Sequence, residues 1–257
     1  MKVGSLFSGI GGIDLGLERA GMKVVWQVEK DPYCQKVLKK HWPTVPCYGD
    51  IKEIDFTTLP PVDLICGGFP CQPYSRAGSK REKNDERNLW PETFRCIRET
   101  EARWVMCENV PGLLDYEYFG RILGDLASLG LVVEWNCLSA SAFNAPHKRE
   151  RLFLLAYHHS ERSRGICGGA NKEQRNLGEY KPFGSLLDWN NAQYERTREF
   201  FREGTLPPRL CRVDDEIPSR VDRLKSLGNA VVPQVAEWIG RRIMDFLSPP
   251  APPVPGT

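Results

Sequence analysis

The feature that most constrains this chain is a regular alternation, across residues 2–157, of short apolar runs with stretches of helical spacing. Residues 2–7, 24–28, 62–66, 104–108, 132–138 and 151–157 read as strands, and residues 13–20, 32–41, 88–102 and 119–129 as helices. Breaks fall at Gly21, Gly67-Gly68 and Gly130, where glycine ends one element and lets the next begin. Strands that are apolar along their whole length need cover on both faces, and a strand–helix rhythm returns the chain to one sheet through crossovers. The predicted fold is therefore α/β, a mostly parallel sheet with helices on both faces. In such sheets ligands lie beyond the carboxyl ends of the strands.

Beyond residue 157 the pattern changes. Residues 158–208 are rich in Gly, Asn, Arg and Glu and lack apolar runs, so they read as a surface insertion or small lobe leaning on the main domain. Residues 232–247 read as an amphipathic helix with Val235, Ile239 and Phe246 on or near one stripe. The Pro-rich residues 248–257 are expected to be disordered. The 9 cysteines include no Cys-x-x-Cys pair, which argues against a disulfide framework or a zinc cluster. No run approaches the roughly 20 apolar residues of a membrane span, and the first strand is too short for a signal peptide, so a cytoplasmic location is expected. The formal net charge of +2 neither demands nor excludes a polyanionic partner.

Residues with chemical potential gather at the strand ends. Phe7-Ser8-Gly9-Ile10-Gly11-Gly12 follows the first strand and opens a helix, so its glycines permit a tight turn and its free N–H groups face a ligand. The G-x-G-x-x-G spacing of a dinucleotide site is absent. Taken alone, the loop reads equally as a sharp turn. Glu29 ends the next strand, close to the position at which an acid binds ribose in nucleotide-binding folds, and this favours a nucleoside-containing cofactor. Asp50, followed by Ile51, supplies another acid at a strand end, where a simple turn is the plainer reading. Cys71 lies just past a strand end between Pro70 and Pro73, which restrain the backbone around it. Its thiolate fraction is strongly nucleophilic, whereas Cys66, inside the strand, reads as structural. Glu108 stands among Val105, Val110 and Leu113, where a carboxyl pKa rises and the group can serve as an acid. Arg149 and Arg151 are two apart and face the same way in extended chain, which suits phosphate or a base carbonyl. For Asn229 the default reading is a cap at the start of the last helix.

As an ordered set, the Pro-Cys-Gln loop, Glu108-Asn109-Val110, the Arg-x-Arg segment and Gly228-Asn229-Ala230-Val231 resemble the cytosine-5 DNA methyltransferase family, Dcm-like and of bacterial or phage type. The resemblance covers residues 2–157 and about 207–247. It implies the S-adenosylmethionine-dependent methyltransferase fold, with residues 1–157 as the catalytic and cofactor-binding domain and residues 158–208 as a short target-recognition region. Residues 209–247 would complete the catalytic domain, with the last helix folding back against the first strand. It implies S-adenosylmethionine as cofactor, held by Phe7, Ser8, Gly9, Ile10, Gly11, Gly12, Glu29, Asp50, Ile51, Pro70, Asn229 and Val231.

The resemblance further implies that Cys71 attacks carbon 6 of a flipped cytosine, that Glu108 bonds the ring nitrogen and exocyclic amine, and that Arg149 and Arg151 support the cysteine and bind the base carbonyl. Gln72, Ser75, Arg76, Lys80 and Arg81 would meet DNA, and the basic residues 76–87 would close over it. No metal is expected. Double-stranded DNA is the implied partner of a monomer with no membrane contact, and a cognate restriction endonuclease is left open. His147 stands where many relatives have Gln, and Lys30 where an aromatic often stacks on adenine. A recognition region of about 50 residues fits a short target site. The rival readings are methylation of cytosine in tRNA, a DNA-binding protein that keeps the fold without catalysis, and a nicotinamide oxidoreductase.

Overall fold

The computed structural model describes residues 1–70, 88–115, 117–143, 145, 147–158 and 220–247. Among the described residues, seven strands form one sheet in the order β3-β2-β1-β4-β5-β7-β6. They are β1 (Lys2–Leu6), β2 (Lys23–Val28), β3 (Cys47–Tyr48), β4 (Leu64–Gly67), β5 (Trp104–Asn109), β6 (Leu131–Ser139) and β7 (Glu150–His158). The helices are α1 (Gly12–Arg19), α2 (Pro32–His41), α3 (Trp90–Thr100), α4 (Glu117–Ser128), α5 (Arg220–Asn229) and α6 (Pro233–Leu247). No helix among the described residues is long and apolar enough to cross a membrane.

β4 and β5 alternate their side chains between two cores, which explains their unbroken apolar runs. In β5, Val105 and Cys107 enter the core beneath α3 and α4, with Trp90, Ile97, Phe119 and Ile122. Trp104 and Met106 point to the opposite core beneath α1 and α6, with Leu17, Val235, Ile239 and Ile243. Val3 of β1 belongs to the second core as well, and α6 packs closely against α1 there, with Gly16 facing Pro233 and Ala236 and Gly240 facing Leu17 and Ala20. Local signals place the helices. Asp31 caps α2 by accepting from the N–H groups of Tyr33 and Cys34, Pro32 opens the helix, and Lys39, Lys40 and His41 occupy its last turn.

β1, β2, β3, β4 and β5 are parallel, but β7 runs antiparallel between β5 and β6. Residues 140–149 joining β6 to β7 are too few for a crossover, which takes about a dozen residues or more, so the chain reverses instead. β3, only two residues long, is expected from the sequence only as the strand that ends near Asp50, and α5, which carries few apolar residues, has no expectation there. Asn229 is consequently the last residue of α5, not the cap that opens the next helix. The chain runs outward from β1 to β3 and then crosses back to β4, so a crevice opens at the carboxyl ends of β1 and β4.

Candidate active site

That crevice is a cavity of about 630 Å³, a size that takes a small-molecule ligand. Its first wall is the loop after β1. Phe7, Gly9 and Gly11 all have positive φ (50°, 56° and 84°), and the Gly11 N–H closes the turn on the Ser8 carbonyl at 2.8 Å. This winding turns Phe7, Ser8, Gly9 and Gly12 to the cavity. Ile10 and Gly11 are not on its wall. A Cβ on Gly11 would lie 2.4 Å from the Trp42 ring, so that glycine makes room for α2 rather than for a ligand. Gly12 serves a third purpose, because a Cβ there would stand 2.3 Å from the Val231 carbonyl oxygen. Only a hydrogen at that position lets the segment after α5 close against the loop.

Glu29 directly follows β2 and is fastened at both carboxylate oxygens. Oε2 accepts the Gly9 N–H at 2.7 Å and Oε1 accepts the Asp31 N–H at 2.7 Å. Each oxygen keeps a lone pair for a ligand hydroxyl. Asp50 follows β3 and caps a 3-10 turn through the Lys52 N–H at 3.1 Å. Lys30 reaches Asp50 Oδ2 at 2.6 Å, and this hydrogen bond with the Lys52 N–H holds the carboxyl below its ordinary range. Lys30 thus closes that side of the cavity as the partner of Asp50. Ile51 is buried, and its carbonyl accepts from Arg95 at 2.8 Å, so α3 supports this wall.

The opposite wall comes from β4, β5 and β7. Gly67 sits where a Cβ would fall 2.3 Å from the Leu6 carbonyl, and Gly68 where one would fall 2.7 Å from Glu108 Oε2. The Glu108 carboxylate therefore lies directly over Gly68. Its Oε1 meets Arg151 Nε at 3.0 Å. Burial pushes the Glu108 carboxyl above its ordinary value, and Arg151 and Arg149 pull only part of the way back. Arg149 donates to the Gly228 carbonyl, while its Nε is buried without a partner among the described residues. β7 is thereby tied to the chain that carries Asn229 and Val231. Asn109 was quoted from the sequence without a role. It is buried, and its Nδ2 donates to the Phe69 carbonyl at 3.1 Å, bracing the backbone just before Pro70.

One cavity thus gathers Phe7, Ser8, Gly9, Gly12, Glu29, Asp50, Ile51, Pro70, Glu108, Arg149, Arg151, Asn229 and Val231 from seven separate stretches of chain. Cys34 of α2 and Ser226 of α5 also line it, with Sγ and Oγ 3.6 Å apart. Neither carries a sequence signal, since each is polar or small within an ordinary helical pattern. Cys71, Gln72, Ser75, Arg76, Lys80 and Arg81 lie outside the described residues, as do residues 159–208 and 248–257.

A family model described as C-5 cytosine-specific DNA methylase matches residues 1–204. The chain is 36% identical over 162 residues to the type II methyltransferase M.DsaV of Dactylococcopsis salina, covering 61% of this chain and 46% of that one. It is 40% identical over 161 residues to M.Eco47II of Escherichia coli, covering 59% and 38%. The chain therefore spans less than half the length of these relatives. Among solved structures, the Entamoeba histolytica methyltransferase EhMeth superposes with a TM-score of 0.64 over 96% of this chain and 99% of that one, at 14% identity. That likeness establishes the fold, a seven-stranded methyltransferase sheet.

Proposed function

The chain belongs to the C-5 cytosine-specific DNA methylase family, and on that premise we propose that it methylates carbon 5 of cytosine in duplex DNA, with S-adenosylmethionine as donor and Cys71 as nucleophile. The observation that carries this reading is the pairing of two chemistries in one cavity: a Glu29-clamped glycine loop at one end, and Glu108 with Arg149 and Arg151 beside Pro70 at the other. Cys71 is bonded directly to Pro70.

The residues present fit the cofactor. Glu29 would offer carboxylate lone pairs to ribose hydroxyls, the Ser8 hydroxyl would meet the amino-acid end, and Asp50 and Ile51 would flank the adenine. Asn229 and Val231 close the pocket over Gly12. When bound, S-adenosylmethionine supplies an electrophilic methyl group on a sulfonium centre. The Cys71 thiolate forms a bond to carbon 6 of the flipped base, breaking aromaticity and making carbon 5 nucleophilic. Glu108, its carboxyl raised by burial, hydrogen-bonds the ring nitrogen and exocyclic amine and stabilises the ring as electron density builds. Arg151 orients Glu108, and Arg149, on the cavity wall, would meet the base carbonyl. After transfer, loss of the carbon 5 proton expels the thiolate from carbon 6.

The reading is tested with duplex DNA containing 5-fluorocytosine, from which no carbon 5 proton can depart. Wild-type protein with S-adenosylmethionine is expected to form an adduct stable to denaturing gels, and Cys71→Ser to form none. Labelled methyl incorporated into tRNA but not into duplex DNA would overturn the choice of substrate.

A further inference from the structure

Beneath the cofactor loop lies a carboxylate that the mechanism above does not use. Asp14, in the first turn of α1, is fully buried, and its partners are neutral. Ser5 of β1 donates its hydroxyl to Asp14 Oδ2 at 3.0 Å, and Gln27 of β2 donates its amide to Oδ1 at 2.8 Å. The Ser8 hydroxyl, on the cavity wall, donates inward, lying 2.9 Å from Ser5 Oγ and 3.3 Å from the Ser5 carbonyl oxygen. Ser8, Ser5 and Asp14 therefore form a chain of hydroxyls that runs from the cavity to a buried charge.

A carboxylate only accepts hydrogen bonds, and a hydroxyl has a single proton. Ser5 spends its proton on Asp14, so toward Ser8 it can act only as acceptor. Ser8 must then point its own proton inward, and its lone pairs face the cavity. Resting on the S-adenosylmethionine reading, we infer that Asp14 is a positioning residue that fixes Ser8 as an acceptor for the cationic ammonium of the amino-acid end of the ligand. Neutralising Asp14 lets the chain reverse, with Ser5 donating to Ser8 and Ser8 presenting its proton to the cavity. That arrangement opposes a cation.

The titratable neighbours are few. Glu18, one turn along α1, and the thiols Cys47 of β3 and Cys66 of β4 interact electrostatically with Asp14. Both thiols are pushed above their ordinary value, chiefly by burial, and stay neutral near neutral pH. Burial raises the Asp14 carboxyl from 3.8 to about 6, so it titrates within reach of experiment.

The test is calorimetric binding to the purified protein of three ligands: S-adenosylmethionine, S-adenosylhomocysteine and 5′-methylthioadenosine, which lacks the amino-acid end. In Asp14→Asn, the amide carbonyl faces the Gln27 donor and the amide N–H₂ faces Ser5. This variant is expected to bind the first two ligands roughly 10-fold to 100-fold more weakly, the range of a lost charge-assisted hydrogen bond, and the third unchanged. Wild-type affinity for the first two should fall as pH drops from 7.5 to 5.5, and the variant should show no such slope. Ser8→Ala leaves the buried charge in place and should reproduce the loss, which keeps the inference testable should Asp14→Asn fold poorly. Equal weakening of all three ligands, or unchanged affinity in Ser8→Ala, would overturn the relay. Failure of the wild type to bind any of the three would instead remove the cofactor reading, and the relay's ligand with it.

Discussion

Gly12→Ala sets two effects of opposite sign against each other. Gly12 opens α1, and its φ lies outside the left-handed region, so alanine meets no backbone strain there. On helix propensity alone the change would stabilise by up to about 1 kcal/mol. Against this, the new methyl would lie 2.3 Å from the Val231 oxygen and 3.3 Å from its carbonyl carbon and nitrogen. Ordinary contact requires a retreat of about 1 Å, and the obstacle is backbone, which cannot rotate aside like a side chain. The Val231 segment is also held at both flanks, by Ala230 N–H to the Ser226 carbonyl at 2.9 Å and Val235 N–H to the Val232 carbonyl at 3.0 Å. Overpacking of this kind costs about 1–3 kcal/mol, which exceeds the propensity gain. The segment closes the cofactor pocket, so the cost appears in binding as well as in folding. The expected result is a lowered thermal midpoint and an S-adenosylmethionine Kd weakened about 10-fold, at about 1.4 kcal/mol per decade. Gly124→Ala in α4 is the control. Nothing stands within 4 Å of its added Cβ, and it should gain about 0.5–1 kcal/mol with Kd unchanged. Thermal melts and calorimetry on the three proteins decide the matter. A Gly12→Ala protein that is more stable than wild type and binds the cofactor equally well would refute the argument.

Three further predictions follow from the same geometry. Gly68→Ala would place a methyl 2.7 Å from Glu108 Oε2, swinging that carboxylate away from Arg151. Single-turnover methyl transfer should fall about 100-fold, as for a lost transition-state hydrogen-bond donor, with cofactor affinity retained. The raised pKa of Asp14, from 3.8 to about 6, means that its contribution is fully present below about pH 4 and is lost as pH rises through 6. The ligand-free protein should therefore lose about 2 kcal/mol of stability between pH 4.5 and pH 8 relative to Asp14→Asn, measured by denaturant titration. Burial lifts Cys107 to about 12 and Cys66 and Cys96 well above their ordinary value, so native alkylation at pH 8 with mass mapping should leave all three unmodified.

Much of the site was legible because its residues sit where local pattern changes. Glu29 could be singled out as an acid at a strand end, and it lies there, but its grip on the Gly9 and Asp31 N–H groups depends on two loops meeting. Glu108 among apolar neighbours suggested a raised pKa, and burial supplies it. Asn229 was misplaced by one element, because α5 shows too little apolar periodicity to reveal that the residue ends a helix. Ile10 and Gly11 share a motif with true wall residues, yet the alternating positive φ values turn them away from the cavity.

The sequence by itself determined the elements apart from α5, their order and the two-sided burial of the central strands, since periods of two and of 3.6 residues, proline starts and glycine stops are local properties. It also determined which chemical groups stand at the strand ends. Only the tertiary structure decided that β7 reverses between β5 and β6, that Gly12 meets Val231, that Arg149 reaches Gly228, and that Ser8 connects through Ser5 to a buried Asp14. Most of these contacts join residues from different strands or from segments far apart in the chain. Their existence depends on strand order and close approach, and no local spacing encodes either.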